Sequence, residues 1–62
     1  MIIKTKDLKL GDIMISGEKV VAISNPQTIQ SKKVLLVGLR KPDGRERVTD
    51  WNYNGTLFVK SR

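Results

Sequence analysis

The sequence predicts an all-β domain, a small barrel of five or six short antiparallel strands. Three observations carry that expectation. Apolar residues come in short runs rich in Val and Ile, which suit a pleated surface. Turn signals recur roughly every 6–12 residues, the spacing of a string of short strands. No segment sustains a helical period, and residues 25–32 are the only stretch with room for a short helix.

The elements follow in order. Residues 2–5 read as a short first strand or an extended arm, and 7–12 as an ordered loop pegged by Leu8 and Leu10. Residues 13–15 form a strand, Ser16-Gly17-Glu18 a tight turn, and 19–24 the next strand. Asn25-Pro26 opens a polar loop to about residue 31, because the residue before a proline avoids the helical region. Residues 32–41 form the longest strand, apolar on both faces from Val34 to Leu39, with Gly38 marking a bulge or bend. Pro42-Asp43-Gly44 is the strongest turn signal, and 45–50 the returning strand. Residues 51–55 suit either a type I′ turn at Asn54-Gly55 or a 3-10 turn near 51–54 that closes the barrel; we favour the second. Residues 56–60 form the last strand. The inward positions are then Leu8, Leu10, Ile13, Ile15, Val21, Ile23, Val34, Leu36, Val48, Leu57 and Val59, with Val20, Val37, Leu39 and Trp51 partly buried.

Sixty-two residues make one domain. A chain this short buries only about 60% of its unfolded surface, and its core supplies roughly 3–5 kcal/mol. With no Cys and no His, disulfides, thiolate sites, imidazole ligands and the commonest general base are all absent. No spacing matches a calcium loop, a phosphate loop or a nucleophile elbow, so the expectation is a binding module without cofactor or metal rather than an enzyme. No apolar run approaches the ~20 residues of a membrane span. The Cys-free, leader-free chain suits the cytoplasm.

The run Asp7-Leu8-Lys9-Leu10-Gly11-Asp12-Ile13-Met14-Ile15, followed by Lys19-Val20-Val21-Ala22-Ile23, resembles the opening of SH3-like barrels of the KOW type, such as the N-terminal barrel of bacterial elongation factor P. There a Gly-Asp pair starts a strand, and a second strand rises to a Val-x-x-Ile pattern. The later order of long strand, Pro-Asp-Gly hairpin, partner strand, short turn and last strand extends the resemblance over residues 6–60. The Gly-rich continuation of the KOW motif is missing. The frame Lys4-x-x-Asp7-Leu8-x-x-Gly11-Asp12 is also similar to small phage-encoded proteins. The resemblance implies an SH3-like barrel.

Twelve Lys and Arg face six Asp and Glu, a net charge of +6, which favours anionic partners. The hairpin of Arg40, Lys41, Arg45 and Arg47 carries four cations within eight positions, Arg45 and Arg47 on one face and Arg40 across from them. Guanidinium groups offer paired donors to phosphate. Trp51, Tyr53 and Phe58 lie close behind in sequence, with Tyr53 expected to be the most exposed and Phe58 to point outward. Rings beside cations are a usual platform for unpaired bases. Two readings stand side by side. One is a nucleic-acid binder, of RNA or DNA, using Arg40, Lys41, Arg45, Arg47, Trp51 and Tyr53. The other is a phage-type module docking on an acidic host protein through Phe58, Tyr53 and Trp51. A homo-oligomer through an edge strand is a third expectation. If the terminal strands pair, Lys4, Lys6, Lys9, Lys60 and Arg62 gather on one side, while Lys32 and Lys33 read as ordinary strand-entry charges.

Overall fold

A computed structural model describes residues 1–61; Arg62, one of the cations expected at the chain end, lies outside them. The fold is all-β. Seven strands run as β1 (Ile2–Lys4), β2 (Ile13–Met14), β3 (Lys19–Ile23), β4 (Gln27–Ile29), β5 (Lys32–Arg40), β6 (Glu46–Asn52) and β7 (Thr56–Ser61). Among the described residues a single 3-10 turn occupies Thr5–Asp7. Among the described residues no helix is long and apolar enough to cross a membrane.

All pairings are antiparallel. The order is β1-β7-β2-β3-β5, with β6 on the far edge of β5 and β4 beside β5 on the β3 side. Three expectations need correction here. The sheet is open among the described residues: β1, β4 and β6 each pair on one side only, and no ladder joins β6 to β7. The 3-10 turn falls at Thr5–Asp7 and not near 51–54, because β6 pairing carries Trp51 and Asn52 in extended form. A turn follows, in which the Gly55 amide donates to the Asn52 carbonyl at 3.0 Å. The loop expected at 25–31 supplies an additional strand, which brings the number to seven.

That extra strand has a local cause. Beyond Ile23 the chain stays on the same edge of β5, and the Ser24 amide donates to the Leu36 carbonyl at 2.9 Å. Pro26, which has no amide proton to donate, sits in the gap between β3 and β4. Pairing then resumes with Gln27↔Val34, Thr28↔Lys33 and Ile29↔Lys32. The connecting residues Gln30 and Ser31 hold φ of 49° and 66°, the type I′ pattern of a two-residue hairpin. Asn-Gly is the usual occupant of such a turn, so the sequence carries no conventional signal for it.

The core joins Leu35, Val37 and Leu39 of β5 to Val20, Met14, Val59 and Leu8, with Ile3, Ile23, Trp51, Tyr53 and Leu57 packed against it. Leu8, Val34 and Val59 are buried as expected. The phase of β5 is the reverse of the expected one: Val37 and Leu39 are fully buried, while Leu36 is half-buried on the other face. A strand apolar on both faces carries no phase of its own, and a one-residue shift exchanges its faces. Partners decide: Leu35 opposes Trp51 and Leu39 opposes Val20, all on the inner side. Leu10, Ile15 and Val48 were expected inside and are exposed instead, Val48 by 74%. In β2 the buried side chain is Met14, with Ile13 half-buried.

Gly38 does mark a bend, and the irregularity lies on the strand beside it. The register shifts between Val20 and Ala22, leaving Val21 as the extra residue opposite the glycine. A Cβ on Gly38 would come within 3.1 Å of the Ala22 Cβ, so the two strands could not approach this closely with a side chain there.

Candidate functional site

The Pro42-Asp43-Gly44 turn forms as expected. Gly44 takes φ of 93°, its amide donates to the Lys41 carbonyl at 2.9 Å, and the Asp43 carboxylate accepts the Arg45 amide at 2.9 Å. Three of its four cations are already engaged. Arg40 donates to Glu46 at 2.8 Å, and the Arg45 Nε lies 3.4 Å from Asp43. Arg47 grips Glu18 with two bonds of 2.8 and 2.9 Å. Among the described residues only Lys41 of the four hairpin cations has no carboxylate within ion-pair distance. The expected facing is corrected too: Arg47 opposes Leu39 on the inner side, and Arg40 shares the outer face with Glu46.

Glu18 is the most perturbed acid. The two bonds from Arg47 hold its carboxyl at about 2, below the ordinary 4.5; burial opposes that shift, and a 3.1 Å bond from the Ser16 hydroxyl adds to it. The folded chain therefore holds fewer protons than the unfolded chain between these values. The contribution of Glu18 to stability is complete above 4.5 and is lost as pH falls from 4.5 toward 2. Acid unfolding followed by Trp51 fluorescence should fall across this window, and Glu18→Gln should flatten that part of the curve. An unchanged acid profile in Glu18→Gln would refute the assignment.

The aromatics divide. Trp51 is half-buried on the inner face opposite Leu35 and serves the core. Tyr53, expected to be the most exposed ring, is also half-buried against the core; that position belongs to Phe58, 59% exposed and pointing outward as expected. Tyr53 still contacts a cation. Its amide donates to the Lys33 carbonyl at 3.0 Å, and the Lys33 ammonium lies 4.3 Å from the ring centroid. A cation over a tyrosine face is attracted by the ring quadrupole.

Two further lysines lie beside this ring. Lys4 and Lys6 line a cavity of about 210 Å³ with Tyr53, Asn54 and Thr56, and no acidic side chain lines it. Pairing of β1 with β7 and a 3.0 Å bond from the Thr5 amide to the Gly55 carbonyl hold the two lysines there. Lys4, Lys6 and Lys9 also share a second cavity of about 610 Å³, where Asp7 is the one acidic residue. No lysine among the described residues has an ion-pair partner, and of these Lys4, Lys6 and Lys33 are the ones beside Tyr53. These lysines lie at the opposite end of the β5–β6 pair from the hairpin cations. One sequence reading does point toward them: Lys4 and Lys6 are expected on one side if the terminal strands pair, and β1 pairs with β7.

No protein-family model, curated protein or solved structure matches the chain. The functional reading therefore rests on this geometry.

Proposed function

We propose that the protein is a non-enzymatic module, built on an SH3-like sheet, that binds nucleic acid through Lys4, Lys6 and Lys33 around Tyr53. The observation that carries this reading is the acid-free cavity beside a lysine-capped ring. Ammonium groups without carboxylate partners are available to phosphates. Arg40, Arg45 and Arg47 would first have to leave theirs. Lys33 covers one face of the Tyr53 ring, and the ring is half-buried, so phosphate contact leads and base stacking is secondary. Fluorescence anisotropy of a short labelled duplex, titrated at rising salt, tests the proposal. Three neutralised phosphates give a log–log slope of roughly −2.7, at about −0.9 each. Absence of binding at the lowest salt, or a flat salt dependence, would remove it.

A second reading has its own observation. Phe58 faces Ile2 across the β1–β7 ladder, and the Ile15 amide donates to the Phe58 carbonyl at 3.2 Å. These three side chains are 59–69% exposed, and Lys4 and Lys60 share their strands. An apolar trio rimmed by lysines suits an acidic protein partner. Phe58→Ser should then abolish capture of a stoichiometric, nuclease-insensitive partner and leave oligonucleotide binding intact. Loss of the captured protein on nuclease treatment would count against it. Self-association through the unpaired far edge of β6 finds less support, since Glu46, Arg47 and Asp50 place charges of the kind that discourage edge-to-edge pairing.

A further inference from the structure

Apart from Val34 at its root, the ribbon made by β4 and the first residues of β5 takes no part in the core. Every residue from 25 to 33 is exposed. Gln27, Ile29 and Lys32 occupy one face of the ribbon, and Thr28 and Lys33 the other. The tip is Gln30-Ser31. No hydrogen bond among the described residues engages the side chains of Gln27, Thr28, Gln30 or Ser31. This exposed hairpin offers amide and hydroxyl groups that pair with no other described residue, carries no acidic residue and presents Ile29, so it is open to a polar, anionic surface.

We infer that this ribbon enters the major groove of double-stranded DNA, with Gln27, Gln30 and Lys32 at base edges while Lys33, Lys4 and Lys6 hold the flanking phosphates. The inference rests on the nucleic-acid reading and adds the form of the ligand and the element that reads it. Dimensions select the groove. Three residue pairs at about 3.3 Å each carry the tip roughly 10 Å from its root, against a major-groove depth of about 8.5 Å. Two strands about 4.8 Å apart, with side chains, match a groove about 12 Å wide, whereas the minor groove, at about 6 Å, would have to be widened to admit them. Duplex RNA is excluded, since its major groove is too deep and narrow for side chains to read. The chemistry matches as well. A glutamine carboxamide donates and accepts toward adenine, a lysine donates to guanine, and an apolar side chain such as Ile29 meets the thymine methyl.

The test uses the full chain with three labelled probes of one sequence: duplex DNA, single-stranded DNA and duplex RNA. The duplex is first enriched from a random pool on the wild-type protein. Duplex DNA should bind best, and guanine N7 should be protected from dimethyl sulfate. The exposed substitutions Gln27→Ala and Gln30→Ala together should lower affinity for the enriched duplex by roughly thirtyfold or more and leave the salt slope unchanged. Circular dichroism of this variant should match the wild type. If duplex DNA binds without N7 protection, or if the variant binds as the wild type does, the ribbon inference falls while the lysine site stands. Preference for single strands or duplex RNA has the same consequence. If no probe binds at low salt, both fall.

Discussion

Leu39→Ala should leave most of the chain unfolded in urea-free buffer at room temperature. Leu39 is fully buried and is the largest such side chain. It sits where β3, β5 and β6 meet, opposed by Val20 on one side and Arg47 on the other. Removing a buried leucine costs about 2–5 kcal/mol. The whole core of a domain this size supplies roughly 3–5 kcal/mol. The two quantities are equal within their spread, so one substitution exhausts the stability. Val48→Ala is the matched control. Val48 is 74% exposed, and its change should lie within about 0.5 kcal/mol. Urea unfolding followed by Trp51 fluorescence reads both. A wild-type midpoint for Leu39→Ala would mean that β5 presents its other face, Val34 and Leu36, to the core.

The largest functional effect is expected from Lys4→Gln, Lys6→Gln and Lys33→Gln combined. Each phosphate contact releases about 0.9 counterion, so each lysine is worth roughly eightfold in affinity between about 1 M and about 0.1 M salt. The triple variant should lose about 500-fold at the lower salt, and its slope should fall toward zero. The paired substitution Arg40→Gln and Arg45→Gln should change far less, because both guanidinium groups already face carboxylates at 2.7–3.4 Å. The reverse ranking in an anisotropy titration would return the site to the Pro42–Gly44 hairpin.

The strand content was legible in the sequence wherever turn chemistry was conventional. Gly17 and Gly44 mark turns, and the flanking strands fall within a residue or two of expectation. The phase of β5 was not legible, because six apolar residues in a row pack as well on either face until Trp51 and Val20 choose one. The ribbon was hidden for a different reason: Gln and Ser occupy a turn that normally announces itself with Asn and Gly. The site was half legible. Net charge suggests an anionic ligand, and Tyr53, one of the rings singled out, contacts the Lys33 ammonium. Four cations clustered in sequence drew attention to the hairpin, yet Glu18, from 29 positions away, neutralises one of them. A count of cations along the chain cannot see a carboxylate that the fold brings across from another strand.

The left-handed residues at the ribbon tip have a thermodynamic consequence. Gln30 and Ser31 hold a backbone shape that side chains disfavour, and only three residue pairs oppose its loss. The arm should open locally far more often than the body that carries it. A partner that clamps it would quench that fraying, and part of the contact energy would be consumed in ordering the arm. Association would then carry an unfavourable entropy set by the hinge and tip, whatever the quality of the contacts beyond them.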